Sequence, residues 1–279
     1  MAIITLISDF GLEDAYVGIV KGVILSINPS VTIVDISHNI PPQDLVRAGY
    51  LMEASYRYFA SGTVHVAVVD PGVGSDRSIV GVEMKGHRFL VPDNGVMTAV
   101  LTDGHAERAV RVENSSFFLD SVSRTFHGRD IFAPVAAHLS MGLDLEEFGP
   151  RFEPSELMRL RLPQPLFAEA GEIVGAVVAV DRFGNMVTNI RERDLSELRF
   201  PDDTSDLIIQ IGGKSIHGIS DSYSAAAPGR LLAIMGSTGR LEVSVNCGNA
   251  SRLCKAGPGE TVRIKRGASI QWRQACPKQ

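Results

Sequence analysis

Ile3-Ile4-Thr5-Leu6-Ile7, closed by the turn-prone pair Ser8-Asp9, is a short apolar run, and its alternation with the helical pattern after it decides the fold. From Asp14 to Ile27 the apolar residues change to helical spacing (Val17, Val20, Val23, Ile24, Ile27), and Asn28-Pro29 ends the pattern. Val31–Ile36 reads as a second buried strand, Asp44–Phe59 as a second helix and Val64–Val69 as a third strand. Strands that are apolar throughout and alternate with helices predict a mostly parallel sheet covered on both faces, a Rossmann-like α/β domain. Ile79–Met84 and Arg88–Val91 come next as strands joined by a Lys85-Gly86-His87 turn, and Asn94–Leu101 and Asp130–Met141 read as helices. Farther along, four of the 14 prolines lie between Pro150 and Pro165, a stretch without periodicity that reads as a linker. Beyond it, Glu172–Val180, Leu207–Ile211, Leu231–Met235, Leu241–Val245 and Thr261–Lys265 are short β-branched runs separated by Gly-rich turns. That texture predicts a small antiparallel barrel or sandwich. The expected organisation is therefore α/β over 1–165 and an all-β, barrel-like domain over 166–279.

Composition narrows the function before any motif is weighed. The 279 residues carry 27 Lys and Arg against 32 Asp and Glu, a formal charge of −5. A phosphate-backbone binder needs clustered positive charge, so nucleic acid is not the expected partner. No apolar run is long enough to span a bilayer, and the N-terminus shows no basic segment leading into an apolar one, so a cytoplasmic location is expected with no membrane partner. The cysteines Cys247, Cys254 and Cys276 form no C-x-x-C pair, and the last histidine, His217, precedes them all. No metal centre, haem or iron–sulfur cluster is expected from that spacing.

In open α/β sheets ligands bind beyond the carboxyl ends of the strands, so the polar residues there are the candidates. Asp9 stands just past the first strand, where a carboxylate is placed to grip a ribose diol, and Asp14 stands at the start of the first helix. The third strand leads into Asp70-Pro71-Gly72-Val73-Gly74-Ser75-Asp76-Arg77, which folds Arg77 back toward Asp70; a plain ion pair is the alternative. His127 stands in Thr125-Phe126-His127-Gly128-Arg129-Asp130 at a helix start, where the dipole disfavours its protonated form. His138, His65, His87 and His105 read as ordinary helix, strand or turn residues. In the second half, Asp181-Arg182-Phe183-Gly184-Asn185, Tyr223 and Gly236-Ser237-Thr238-Gly239 each read, taken alone, as turn chemistry.

Together these segments, with Ser8-Asp9-Phe10-Gly11 and Pro92-Asp93-Asn94-Gly95, closely resemble the S-adenosyl-L-methionine (SAM) hydroxide adenosyltransferases, relatives of the SAM-dependent halogenating enzymes. The resemblance implies attack of water-derived hydroxide on the ribose 5′ carbon of SAM, giving adenosine and L-methionine, with SAM as substrate and no cofactor. It implies a homotrimer, with SAM between the first domain of one subunit and the second domain of its neighbour. Its Asp–Arg–His triad falls on Asp70, Arg77 and His127. Such a triad suits a metal-free hydrolysis: water has a pKa of about 15.7, so side chains must orient it and take its proton, with either Asp70 or His127 as acceptor. Substrate contacts carry over to Asp9 at the ribose with Asp14 in support, and to Asp181 and Ser237 at the methionine ammonium. They carry over also to Asn185 and Asn249 at the adenine, to Tyr223 stacked upon it, and to Asn94. Thr238 replaces a basic residue of the fluorinating relatives, and Val245–Ala250 is longer than theirs. A SAM-dependent halogenase and a non-catalytic SAM- or adenosine-binding protein are the alternatives, but retention of Asp70 and His127 points to water as nucleophile.

Overall fold

The computed structural model describes residues 2–168, 171–197 and 204–267, so Cys276 lies outside the described residues. The chain separates into two units between Leu162 and Pro163. Unit 1 contains β1 (Ile3–Ser8), α1 (Tyr16–Ile27), β2 (Thr32–Ser37), α2 (Leu45–Ser55), β3 (Val64–Val68), β4 (Ile79–Met84), β5 (His87–Pro92), β6 (Arg108–Arg111) and α3 (Ala133–Ser140). Its sheet runs in the order β2-β1-β3-β5-β4-β6. The first four of these run parallel to one another, while β4 pairs antiparallel with both β5 and β6.

The apolar strands are explained by two cores, one on each face. Ile4 and Leu6 of β1 and Val64, Val66 and Val68 of β3 pack with Val20, Ile24, Val135 and Leu139 of α1 and α3. Ile7 of β1 and Ala67 of β3 point the other way, to Ala48 and Met52 of α2. Successive strand residues thus both need apolar side chains, which is why no alternation is visible in the sequence. Because β1 lies between β2 and β3, the chain leaves it to opposite sides, and the crevice expected at such a switch point opens beyond the ends of β1 and β3.

Several elements depart from the sequence pattern, each for a local reason. The turn before β5 holds only Lys85 and Gly86, both at positive φ (52° and 75°), and His87 pairs with Met84 inside the sheet. His87 is buried, its Nδ1 3.1 Å from His65 Nε2, and His65 Nδ1 lies 2.8 Å from the Thr5 hydroxyl. The apolar span 94–101 forms two 3-10 turns, Val96–Thr98 and Val100–Thr102, rather than one helix. The Thr98 and Thr102 hydroxyls donate to the carbonyls of Gly95 and Ala99, competing with the α-helical pattern. The helix expected from Asp130 begins earlier, as a π-helical turn over Gly128–Phe132 that runs into α3.

Unit 2 is antiparallel. Its strands are β7 (Leu166–Ala168), β8 (Glu172–Val180), β9 (Met186–Arg191), β10 (Leu207–Ile211), β11 (Lys214–His217), β12 (Leu231–Met235), β13 (Arg240–Val245) and β14 (Thr261–Arg266), with short helices α4 (Glu192–Glu197) and α5 (Ala250–Cys254). The order β11-β10-β14-β8-β9-β13-β12 curls until Ser220, just past β11, bridges Ile234 of β12, so the sheet is nearly closed into a barrel. Ile173, Val177, Met186, Ile209, Val243 and Ile264 fill its interior. Strand β9 escapes a reading by apolar runs because Thr188 and Asn189 interrupt it, yet both are buried. Thr188 donates to the Leu241 carbonyl, and Asn189 accepts from the Ala176 N–H and donates to the Pro163 carbonyl. These bonds serve backbone groups beside the register shift between Val177 and Ala179. Among the described residues no helix is long and apolar enough to cross a membrane.

Candidate active site

Strands β1 and β3 are paired with Ser8 opposite Val68, so Asp9 and Asp70, just past their ends, emerge at the same sheet edge. They share a cleft of about 220 Å³ with Phe10, Thr125, Phe126 and His127. Two loops meet there. Gly74 has φ +77°, and a Cβ on it would lie 2.2 Å from the Arg124 carbonyl oxygen, so only glycine lets the 71–77 loop lie against the 123–127 loop. That approach brings Arg77 between Asp70 and His127. Arg77 Nε lies 3.0 and 2.9 Å from the two Asp70 oxygens, and Nη2 donates to Asp70 Oδ2 as well. The same Nη2 is 2.8 Å from His127 Nδ1.

The tautomer of His127 is set by these contacts. A guanidinium only donates, so Nδ1 must be the accepting nitrogen and the ring proton sits on Nε2. Burial, reinforced by the Arg77 charge, lowers the His127 pKa below the usual 6.5, which keeps the ring neutral near pH 7. The segment that carries the ring is anchored around Asp130. Asp130, fully buried, accepts from the Ser123 N–H at 2.8 Å and from Arg129 Nε at 2.6 Å, and the Ser123 hydroxyl accepts from the Phe126 N–H. Burial alone would raise the Asp130 pKa, but the Arg129 and Ser123 donors hold it below the ordinary carboxylate value.

Asp9 is held by the Gln43 N–H, 2.8 Å from Oδ2. Behind it, the Ser8 hydroxyl lies 2.7 Å from His38 Nδ1, and the Gly11 N–H donates to the His38 carbonyl, which fixes the loop carrying Asp9. Phe10, Tyr16 and Phe126 pack as tilted and edge-on rings with centroids 5.1 to 5.9 Å apart. Asp14 is exposed ahead of α1 and does not line the cleft. Asn94 is used by backbone: Nδ2 donates to the Val69 carbonyl and Oδ1 accepts from the Val96 N–H.

Unit 2 has its own pocket, of about 710 Å³, which gathers Asp181, Asn185, Tyr223 and Ser237. Gly184, at φ +87°, carries the turn between Asp181 and Asn185 past Asn249, whose Cγ would sit 2.1 Å from a Cβ there. Asn249 does not line the pocket; its Oδ1 caps α5 by accepting the Arg252 N–H. Two lining residues, Phe183 and Glu242, had no signal as separate motifs, although Phe183 lies within the Asp181–Asn185 segment. Glu242 is buried in the middle of β13, and its Oε2 accepts from the Tyr223 hydroxyl at 3.2 Å. Burial raises its pKa above the carboxylate norm, with Tyr223 opposing and Asp181 adding to the rise. Burial and the neighbouring Glu242 likewise raise the Tyr223 pKa, so its hydroxyl keeps its proton and donates. The run Leu241-Glu242-Val243 could have signalled Glu242 only by its charge between two core residues of a strand.

Residues 4–149 match the SAM hydroxide adenosyltransferase N-terminal domain, and residues 175–263 match the C-terminal domain of the same name. The chain is 36% identical to the (R)-S-adenosyl-L-methionine hydrolase of Salinispora tropica, over 95% of this chain and 98% of that one. The enzyme of that name from Thermus thermophilus is 36% identical over 92% of this chain and 97% of its own length. A fluorinase of Nocardia brasiliensis is more distant, 29% identical over 95% of this chain and 97% of that one. In structure the chain resembles a crystal structure of an uncharacterised conserved protein from Thermotoga maritima, with TM-score 0.88 and 36% identity, covering 95% of this chain and all (100%) of that one. Both halves of the chain, matched in order and nearly end to end, place it in one family: the protein belongs to the SAM hydroxide adenosyltransferases.

Proposed function

We propose that this protein hydrolyses SAM to adenosine and L-methionine, with Asp70, Arg77 and His127 as the catalytic residues. The observation that carries the reading is the single Arg77 guanidinium donating at once to Asp70 and to His127 Nδ1. It leaves His127 with a donor, Nε2–H, and leaves Asp70 as the group with basic lone pairs. The proton of the attacking water therefore goes to Asp70, while His127 and Arg77 stabilise the developing hydroxide. The water oxygen bonds to the ribose 5′ carbon as the carbon–sulfur bond of the sulfonium breaks, and the neutral thioether leaves as methionine. Positive charge on sulfur and negative charge on oxygen disappear together, which a dry cleft favours over water. No metal or other cofactor enters this scheme; SAM is the substrate.

In the same reading Asp9 holds the ribose diol. Asn185 and Tyr223 receive the adenine, and Asp181 and Ser237 border the amino-acid end. Asn94 and Asn249 support the loops rather than touch the substrate, given where their side chains are engaged, and Asp14 stands exposed outside the cleft. The working form is a homotrimer in the cytoplasm with substrate shared between neighbouring subunits, and nucleic acid and membrane are not partners. Support for an assembly comes from Leu12, Tyr16 and Ile19, apolar yet exposed next to the Asp9 loop, and for the lack of nucleic-acid binding from the net charge of −5. Incubating the protein with SAM in ¹⁸O water tests the chemistry. Labelled adenosine and methionine are expected, unaltered by chloride, with Asp70→Ala and His127→Ala binding SAM but losing turnover. S-adenosylhomocysteine or a 5′-chlorinated nucleoside as product would sink the proposal.

A further inference from the structure

The barrel pocket holds two carboxylates whose hydrogen bonding differs. Asp181 directs its oxygens into its own turn: Oδ1 accepts from the N–H groups of Phe183 and Asn185 at 2.9 and 2.8 Å, and Oδ2 accepts from Asn185 Nδ2 at 2.8 Å. Glu242 is only 8% exposed, yet it lines the pocket, and among the described residues its one side-chain partner is the Tyr223 hydroxyl. Its other oxygen, Oε1, points toward Gly236, where a Cβ would come within 2.0 Å of it. A glycine at 236 thus leaves Oε1 room that any side chain would occupy. Among the described residues no Lys, Arg or His lines this pocket. A carboxylate withdrawn from water with one neutral donor and no cation is incompletely satisfied, and a ligand that brings positive charge completes it.

The neighbouring acceptor is of another kind. Asn185 gives one amide N–H to Asp181, so what it has left for a ligand is its second N–H and, as acceptor, a neutral carbonyl oxygen. A neutral acceptor suits a neutral N–H such as that of a purine amine, whereas a carboxylate gains about twice as much from an ammonium. Taking SAM as the substrate, we propose that Glu242 determines specificity in the barrel pocket by receiving the α-ammonium group of the amino-acid end. Tyr223 orients the carboxylate through its hydroxyl, and Asp181 shapes the turn and adds negative potential without being the ammonium's direct ligand. The donor that Glu242 takes is distinguished from a purine amine by its charge.

The test uses the full chain and three probes: SAM, its analogue lacking the α-amino group, and adenosine. Wild type is expected to bind SAM at least tenfold more tightly than the des-amino analogue. Glu242→Gln, which keeps the shape and an acceptor for Tyr223, should erase that preference. It should raise the SAM KM about tenfold, change kcat far less, and leave adenosine affinity as it was. If Glu242→Gln instead weakens adenosine and retains the preference for SAM over the des-amino analogue, the donor is the purine amine and the inference is overturned. Equal binding of SAM and the des-amino analogue by wild type overturns it without any variant, which covers a substitution that fails to fold. A wild-type protein that neither binds nor cleaves SAM refutes the functional reading itself. Wild-type turnover with an unaffected Glu242→Gln variant refutes only the role of Glu242.

Discussion

The cleft at the sheet edge and the pocket in the barrel treat charge in opposite ways. In the cleft, Asp70, Arg77 and His127 satisfy one another, so their geometry is set before any ligand arrives. In the barrel pocket, Glu242 is buried beside Asp181 with, among the described residues, only a phenol as side-chain partner. A preorganised, internally neutral cluster suits chemistry, because its groups need not reorganise as charge moves. An under-satisfied carboxylate suits recognition, because the ligand supplies what the pocket lacks. The difference gives distinct signatures to substitutions on the two sides.

The largest effect should come from removing the shared donor. Arg77→Met leaves Asp70 unpaired and His127 without its Nδ1 partner, and kcat for SAM should fall about 10²- to 10⁴-fold. Adenosine affinity, measured by calorimetry, should change little; a variant with near-normal kcat would undo the contrast. Next come the two constrained glycines. Gly74→Ala and Gly184→Ala each place a Cβ at positive φ against a neighbour, the Arg124 carbonyl or Asn249, and each should cost about 1–3 kcal/mol of stability. Gly74→Ala should lower kcat, whereas Gly184→Ala should raise KM. Matching kinetic profiles for the pair would mean the sites are not specialised as described.

Acid should separate the units as well. His65 has its pKa lowered to about 3 by burial, with His87 contributing, and burial lowers His87 also. The folded state resists protonation that the unfolded chain accepts near 6.5, so this stability is complete above that pH and is lost as pH falls toward about 3. At pH 5 His65 alone should cost about 2 kcal/mol. The barrel core contains no histidine among the described residues, so hydrogen exchange at pH 5 should show β1, β3 and β5 losing protection before β8, β9 and β13. Simultaneous loss would count against it. The smallest effect on turnover is expected of Tyr223→Ala, for which kcat should hold. Adenosine affinity should fall roughly three- to tenfold with loss of the proposed stacking face, worth about 0.5–1.5 kcal/mol beyond simple burial. The SAM KM should rise further because Glu242 loses its hydroxyl partner.

Unit 1 was legible because its signals are local. Apolar strand runs and the helical spacing of Val17, Val20 and Ile24 arise directly from burial on two faces of one sheet. Asp9, Asp70 and His127 could be singled out because each stands at the boundary of an element. The interrupted strand β9 could not be read, since the buried Thr188 and Asn189 look like turn residues until their partners at Leu241, Ala176 and Pro163 are known. Neither could the engagement of Asn94 and Asn249, whose amides complete backbone hydrogen bonding nearby instead of lining the cleft or the barrel pocket.

Residue type and spacing along the chain were enough to set the class of each half, the α/β order and the strand-end position of the candidate residues, and the motifs they form carry the resemblance to the family. Tertiary structure decided which side chains meet: Arg77 between Asp70 and His127, the protonated nitrogen of His127, and the burial of Glu242 in a pocket where the oxygens of Asp181 accept from its own turn. Those are properties of groups many residues apart, and only close packing, as where Gly74 touches Arg124, brings them within hydrogen-bonding reach.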